Sequence, residues 1–429
     1  MLFKILSLLG IASLAFAGDK LDTGDTAWMM ISTALVLFMT PAGLALFYAG
    51  MTRTKNALNT TAMVVGAFVV AFVAWIFAGY SIAFGDGGNL QKFVGGLSNI
   101  FLKGISWNEL SGTYPLLVFI VFQGTFAAIT VAIAAGSVIE RMKYSTWLIY
   151  SFIWVLVVYA PIAHMVWGGG ILMDKGALDF AGGTVVHMNG GLSGLILAIL
   201  LGKRKGYGRM AFKPMSVMLA SLGAAILWFG WFGFNGGSAF GANEIAGLAF
   251  LTTAFAPAVA AITWMILEYI VYKKITLLGA ISGIVAGLVA ITPAAGFVDA
   301  LGAFIIGIGG SLIGFWGVVW LKKKFGYDDA LDAFGIHFLA GLWGALATGI
   351  FALNDKNLLW DGPLKESGNR LAQFMVQVES VVIVGIYTAI GTAIVYYIAS
   401  LITGGARVDE EEEIEGLDEA VHGERSINL

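Results

Sequence analysis

Eleven long apolar stretches divide this chain, and they constrain its fold more than any other feature. A helix needs about 20 apolar residues to cross a bilayer, with a range of about 17–25. Only 12% of the residues are charged, whereas soluble domains have about 25%. Because lipid offers no partner to backbone polar groups, each spanning stretch has to be helical. The pattern predicts an all-α polytopic membrane protein whose eleven transmembrane helices lie near residues 26–51, 58–84, 114–138, 144–166, 181–201, 215–236, 244–271, 276–292, 297–321, 333–352 and 371–403.

The distribution of lysine and arginine predicts how these helices are oriented. With the N-terminus outside and the C-terminus inside, the inner segments hold 15 basic residues and the longer outer segments hold 7. Membrane proteins show this excess on the cytoplasmic side. Residues 1–17 predict a cleavable signal peptide of a bacterial-type envelope, because Lys4 precedes an apolar run that ends in Ala15-Phe16-Ala17. A first transmembrane helix is the alternative, but about 13 apolar residues are too few to span a bilayer.

Two histidines lie inside apolar stretches in the same local sequence. Both His187 and His337 begin the pattern His-x-x-small-Gly-Leu-x-Gly, and an ionisable residue at membrane depth is by default a functional hypothesis. They fall in the fifth and tenth stretches, so the chain divides into five plus five helices and one long C-terminal helix. Because five is odd, the second half is inverted, and inverted repeats place a site near the midplane. Two unrelated core histidines bonded to backbone carbonyls are the alternative.

Six motifs, in order along most of the chain, carry a resemblance to a known family. They are Pro41–Gly50 (PAGLALFYAG), Phe122–Ala128 (FQGTFAA), Ala163–Gly168 (AHMVWG), Leu178–Gly183 (LDFAGG), Trp231–Ser238 (WFGFNGGS) and Asp332–His337 (DAFGIH). The chain resembles the ammonium transporters of the Amt/Mep/Rh family, of the bacterial Amt type, from about residue 25 to the end. The resemblance implies transport of ammonium or ammonia across the bacterial inner (plasma) membrane, without catalysis and without a cofactor.

The chemistry of this cargo predicts a role for the histidine pair. Ammonium and potassium have the same charge and similar size, but only ammonium can shed a proton. A charged ion in a narrow apolar tube loses several kcal/mol of solvation, whereas neutral ammonia loses far less. Two neutral imidazoles still supply ammonia with a donor and an acceptor. We therefore predict that His187 and His337 form a hydrogen-bonded pair in a hydrophobic pore and act as a proton relay.

The resemblance also implies roles for other side chains of the pore. Trp167, Phe126 and Ser238 would bind ammonium at an outer site, where an aromatic face attracts a cation by about 0.5–2 kcal/mol. Phe126 and Phe234 would form a gate of stacked rings below that site, and Trp231 would line the pore beside the histidines. Plain packing or interfacial anchoring is the alternative for such aromatics in a membrane helix.

Asp179 precedes the fifth stretch and lies eight residues before His187. It could bind ammonium directly, or it could cap the helix by accepting N–H groups of the first turn. We favour the structural cap, which would support the helix that carries the histidine. His164 is interpreted as structural. Asp328, Asp329 and Asp332, in the loop before the tenth helix, are interpreted as anchors of that loop, of the helix and of the tail.

The acidic tail is interpreted as a regulatory segment. Residues 18–403 are predicted to form the transmembrane domain, and residues 404–429 a cytoplasmic tail that docks rather than a solvated extension. The tail resembles the segment with which this family cooperates with PII-type signalling proteins, through Glu415–Asp418 (EGLD) and His422–Glu424 (HGE). A tyrosine common after the second motif is absent, which weakens the prediction of a PII partner. A homotrimer with one pore per subunit is implied by the resemblance alone.

Three functions from different classes fit parts of this pattern. The first is a transporter that deprotonates ammonium and conducts NH3, with NH4+ or NH3 plus H+ left open as the transported species and methylammonium as a possible second cargo. The second is an ammonium sensor with little conduction, but such sensors carry a fused signalling domain longer than this tail. The third is a membrane enzyme with a metal held by the histidines, which lacks further ligands. The chain has no cysteine, which excludes thiolate metal sites and cysteine catalysis.

Overall fold

The computed structural model of the chain describes residues 20–353 and 362–427, and the predicted signal peptide lies outside them. Within the described residues, eleven long apolar helices form, one at each stretch predicted from the sequence. Ten are long enough to cross a membrane, and the eighth is shorter, with 15 residues. The all-α polytopic prediction is therefore confirmed. The helices are α1 (Thr23–Met51), α2 (Thr54–Phe84), α3 (Leu116–Val138), α4 (Tyr144–Asp174), α5 (Gly183–Leu201), α6 (Val217–Gly237), α7 (Glu244–Tyr272), α8 (Leu277–Ile291), α9 (Ala300–Phe325), α10 (Phe334–Phe351) and α11 (Arg370–Ile402).

Polar side chains start many of these helices. The first N–H groups of a helix have no partner within it, and a side-chain oxygen just before the helix can accept one of them. Asp22 Oδ1 accepts the N–H of Asp25 at 2.9 Å, and Asp299 Oδ1 accepts the N–H of Gly302 at 2.8 Å. The same bond is made before α6, α7, α8 and α11 by Ser216, Asn243, Thr276 and Asn369.

Glycines allow α1 and α6 to approach at backbone distance. A Cβ added at Gly223 would lie 2.2 Å from the backbone nitrogen of Phe47, and one added at Gly50 would lie 2.4 Å from the nitrogen of Ala220. Small residues at such contacts are typical of membrane helices, because close packing replaces the hydrophobic effect as the driving force for association.

The connections between helices contain only short elements. A two-stranded antiparallel hairpin, β1 (Leu110–Ser111) and β2 (Tyr114–Pro115), precedes α3. Two 3₁₀ turns lie before it, at Gly88–Leu90 and Ile100–Leu102, and a short helix at Pro363–Ser367 precedes α11. These elements lie on the side of the bundle opposite to the C-terminal tail.

The tail folds back onto the chain itself. It forms two short helices, α12 (Glu410–Glu415) and α13 (Leu417–His422). The Asp418 carboxylate accepts the N–H groups of Leu58 and Asn59, at 3.1 and 2.8 Å. It thereby caps the helical turns that follow Asn56, whose own side chain accepts the N–H of Leu417 at 2.8 Å. The tail is thus docked at the start of α2, and we call this side of the bundle the tail side.

An ionic network joins four connections on the tail side. The Glu140 carboxylate accepts hydrogen bonds from Arg53 Nε at 2.9 Å and from Arg204 Nη1 at 3.0 Å. Arg204 also donates to Asp328 Oδ1 at 2.8 Å. Burial raises the pKa of Glu140, but Arg204 and Arg53 outweigh it, and the pKa lies below its ordinary value. The pKa of Asp328 is lowered for the same reason by Arg204.

Candidate functional site

Five rings form a continuous line that enters the bundle from the side opposite to the tail. The Trp167 ring lies edge-on to Phe126, with centroids 6.3 Å apart. Phe126 stacks on Phe234 at 4.1 Å with an interplanar angle of 20°. Phe234 is followed by His187 at 5.9 Å and then by His337, 5.5 Å from His187. All five side chains are buried, so the predicted outer site, gate and histidine pair are brought together in one line.

The two histidines contact each other directly. Nδ1 of His187 lies 3.3 Å from Nδ1 of His337. A neutral imidazole has one N–H donor and one acceptor nitrogen, so one ring donates through Nδ1 and leaves its Nε2 as an acceptor. The other ring accepts through Nδ1 and carries its hydrogen on Nε2. The Nε2 atom of His187 is buried and has no hydrogen-bond partner among the residues that the structure describes.

Trp231 fixes one face of the His187 ring. The two rings are stacked with centroids 5.3 Å apart and planes 18° apart. The indole N–H of Trp231 donates to Thr292 Oγ1 at 2.9 Å, and this hydroxyl donates to the Leu288 carbonyl at 2.8 Å. The imidazole is therefore held between an anchored indole and its histidine partner, which limits its rotation.

The repeated sequence around the histidines has a reciprocal packing role. In each copy a glycine follows the histidine by four residues. A Cβ at Gly191 would lie 2.5 Å from the backbone nitrogen of Phe338, next to His337, and one at Gly341 would lie 3.2 Å from Cβ of His187. Each glycine thus makes room for the histidine turn of the other copy, which allows the two rings to meet.

Both histidines also lie in a π-helical turn at the start of their helix. These turns are Gly183–Met188 in α5 and Phe334–Leu339 in α10. Single π-helical turns inside α-helices occur frequently at functional sites. The sequence does not predict these turns, and within the described residues α1, α2, α4 and α9 contain one as well.

A small apolar cavity adjoins the histidine pair. Within this cavity, the centre of a water-sized sphere can occupy a volume of about 10 Å³. This volume is near the smallest that holds one water. Ammonia is of similar size. The cavity is lined by Leu44, Phe47, Ile129, Ile133, His187, Leu227, Trp231, Val285 and His337.

Trp167 is the outermost ring of the line, and Ser238 lies one helical turn after Phe234 at the end of α6. Trp167 is 9% exposed, and its indole N–H donates to the backbone carbonyl of Asp179 at 2.8 Å. This bond fixes the orientation of the indole. The Ser238 hydroxyl donates to the Phe234 carbonyl at 2.8 Å. Because its hydrogen is used in that bond, the hydroxyl oxygen presents acceptor lone pairs.

The Asp179 carboxylate is occupied by the first turn of α5. Its two oxygens accept five hydrogen bonds, from the N–H groups of Gly182, Gly183, Thr184 and Val185 and from the Thr184 hydroxyl. An ionised carboxylate offers about four lone-pair sites. This geometry is that of a helix cap, and it leaves no acceptor directed at the ring line.

Asp329 occupies the equivalent position in the second copy. It lies eight residues before His337, as Asp179 lies eight residues before the other histidine. Its carboxylate accepts the N–H groups of Ala333 at 3.2 Å and Phe334 at 2.8 Å. It therefore caps α10. These bonds agree with the prediction that Asp329 anchors the tenth helix, and the equal spacing is the sequence signal that could also have paired it with Asp179 as a support of the site.

His164 lies outside the ring line. Its Nδ1 is 2.9 Å from the Ala83 carbonyl and its Nε2 is 2.6 Å from the Gln91 carbonyl. It connects α4, close to Trp167, with the end of α2 and the connection that follows it. These contacts are those of a structural residue.

Known proteins resemble the chain over nearly its whole length. The family model described as Ammonium Transporter Family matches residues 27–427. A relative named as an ammonium transporter, from Aquifex aeolicus, is 49% identical and covers 97% of each chain. The crystal structure of Saccharomyces cerevisiae Mep2 is similar with a TM-score of 0.83 and 34% identity, and it covers 92% of this chain and 91% of its own. A structure named Sensor Amt Protein has a TM-score of 0.85 and 27% identity, with 93% and 98% covered.

Proposed function

The chain belongs to the ammonium transporter family, and we propose that it transports ammonium through the line of rings. In this proposal, NH4+ is recruited at the entrance by Trp167, Phe126 and Ser238 and releases a proton there to water outside the apolar line. NH3 then passes the stacked phenylalanines and the histidine pair. No catalytic conversion of the cargo takes part.

The observation that carries the proposal is the unpartnered Nε2 of His187. A buried polar atom without a partner costs about 1–3 kcal/mol, and this one lies among apolar side chains beside a cavity of water-molecule size. Ammonia, which donates through its hydrogens and accepts through its lone pair, satisfies such an atom in either tautomer. The second histidine offers the cargo its next partner.

Recruitment at the entrance is supported by the chemistry of three side chains. The faces of Trp167 and Phe126 attract a cation by about 0.5–2 kcal/mol, and the Ser238 oxygen accepts one of its N–H groups. Aromatic faces attract potassium as well, but potassium gains nothing as a hydrogen-bond donor. Ammonium is therefore the cation that uses both kinds of contact.

Rejection of potassium follows from the apolar line below the entrance. An ion that enters between Phe126 and Phe234 loses its water, and the effective penalty is several kcal/mol. Ammonium avoids this penalty by leaving its proton behind, which potassium cannot do. The direct contact between the two Nδ1 atoms supports the relay role of the pair, because a proton can shift along that bond. Transport of NH3 plus H+ is then electrogenic.

An ammonium sensor is the second candidate, and the similarity to the structure named Sensor Amt Protein favours it. A sensor needs only the entrance site. The ring line and the cavity continue beyond that site, which supports transport over sensing alone.

The placement of the chain is part of the same proposal. We infer a bacterial inner-membrane protein with the N-terminus outside and the C-terminus inside, a cleaved signal peptide at residues 1–17, a homotrimer, and a tail that meets a PII-type protein. The excess of basic residues on the tail side supports the orientation.

The orientation in the membrane can be tested with single cysteines, because the chain has no cysteine of its own. With one cysteine at Lys103 or at Lys324, we expect an impermeant maleimide to label only the first from outside.

The histidine mechanism is tested with purified protein in liposomes. Wild type is expected to give ammonium-dependent uptake or current but no potassium current, and the double variant His187→Ala, His337→Ala should lose transport or its selectivity. The matched control is Met188→Ala, Phe338→Ala, which truncates the next residue on each histidine turn. If the histidine double variant behaves like wild type, the role proposed for the pair is wrong. Ammonium binding without uptake or current in wild type would favour the sensor.

A further inference from the structure

The helix outside the two repeats, α11, contributes one side chain to the support of the site. We propose that Gln377 is a positioning residue for transport, because it joins the segment beside Asp179 to the helix that carries His337. This inference rests on the proposed function.

The Gln377 carboxamide is fully hydrogen-bonded. Its Oε1 accepts the N–H of Leu178 at 2.7 Å, and its Nε2 donates to the carbonyl of the same residue at 2.7 Å. The second hydrogen of Nε2 donates to the Ala345 carbonyl at 3.0 Å, and Gln373 Nε2 lies 3.4 Å from Oε1. All four hydrogen-bonding positions of the amide are therefore used. Only this orientation fits, because the reverse would place donor against donor at Leu178.

The pairing with Leu178 fixes the segment behind the entrance site. A side-chain amide that bonds both backbone groups of one residue holds its position and its direction, as a neighbouring strand would. The next residue is Asp179, whose carbonyl accepts the Trp167 indole N–H and whose carboxylate caps α5. A shift at Leu178 would therefore reach both the recruiting indole and the helix of His187.

The bond to Ala345 connects the same amide to α10. Ala345 lies eight residues after His337 in that helix. The contact is close, because a Cβ at Gly349, one turn further on, would lie 2.9 Å from Cγ of Gln377. One buried side chain, 1% exposed, thus links the entrance segment with the second histidine helix. Neither repeat provides this link by itself.

The test compares two variants of α11 in liposomes. Gln377→Met keeps the length and volume of the side chain but removes its hydrogen bonds. The matched control is Thr392→Val, which removes the buried bonds of Thr392 to Trp154 and Ser193 about 22 Å further along the same helix. Both variants lose buried hydrogen bonds, so both are expected to lower the thermal unfolding midpoint.

The half-saturating ammonium concentration distinguishes a positioning role of Gln377 from a role in stability alone. We expect it to rise about tenfold in Gln377→Met, because small displacements of positioning groups have effects of this size, and to stay within about twofold in the control. If folded Gln377→Met has the wild-type value, the inference is overturned. Should this variant not fold, Gln377→Glu, which retains the acceptor for Leu178, is measured by the same criterion. A wild type without any ammonium-dependent uptake or current would overturn the proposed function itself, whereas an unaffected Gln377→Met beside an active wild type overturns only this inference.

Discussion

Replacing Asp179 by asparagine distinguishes a helix cap from a cation site. The carboxylate accepts five hydrogen bonds from the first turn of α5. Asparagine keeps one acceptor oxygen and turns an NH2 group toward N–H donors. In the better of its two orientations it loses the two bonds from Gly182 and Gly183 and keeps the three from Thr184 and Val185.

The expected loss of stability follows from these two bonds. Hydrogen bonds to charged groups contribute about 1.5–3 kcal/mol each, so Asp179→Asn should lower the free energy of unfolding by about 3–6 kcal/mol. Thermal unfolding of the purified protein measures this change. Asp174→Asn, the same substitution at an exposed position five residues earlier, is the control and should leave the midpoint unchanged.

Transport measurements on the folded protein distinguish the cap role of Asp179 from a cation-binding role. If Asp179 acts as a cap, the unfolding midpoint should fall, and any rise in the half-saturating ammonium concentration should occur only together with that fall, while the maximal current falls with the amount of folded protein. A direct contact between the carboxylate and the cation would give the opposite pattern. An unchanged unfolding midpoint with a half-saturating concentration raised about tenfold, or about 1.4 kcal/mol, would refute the cap.

Three further perturbations have defined outcomes. Asp329→Asn should lower the unfolding midpoint because it removes at least one capping bond of α10, worth about 1.5–3 kcal/mol. Glu140→Gln should lower stability near neutral pH and flatten its acid dependence: Arg204 and Arg53 lower the pKa of Glu140, so wild type has this stabilisation above about pH 4 and loses it as the pH falls. Unfolding midpoints from about pH 7 to pH 3 measure both. Asp418→Ala should free the tail, which limited proteolysis detects as faster cleavage, and an unchanged cleavage rate would contradict the docking role.

The helices could be predicted because each one depends on the apolar composition of its own segment. An apolar run that crosses lipid has no stable form other than a helix, so all eleven stretches are helical. The ends of the helices were predicted less accurately, because capping side chains rather than apolar composition decide where a helix begins. The ninth stretch was predicted from residue 297, but its helix starts at Ala300, since the Asp299 side chain caps it.

The side chains that form the candidate site could be predicted from the sequence, but most of the residues that position them could not. The duplicated pattern identified His187 and His337, and the structure brings them into contact. The glycine contacts and the pairing of Gln377 with Leu178 depend on partners more than 100 residues away in sequence. A single sequence does not reveal such pairs. Asp329 was the exception, because its distance from the histidine repeats that of Asp179.

The docked tail has a consequence for the order in which the protein is made. The N–H groups at the start of α2 are capped by Asp418, 360 residues later in the chain. During synthesis, α2 enters the membrane long before its cap exists, and its tail-side end has only water as a partner. The ribosome has to complete the C-terminal segment before that end is closed. Residues made much later thus complete the start of α2, and a nascent chain differs from the finished protein at the tail side even after every span is in place.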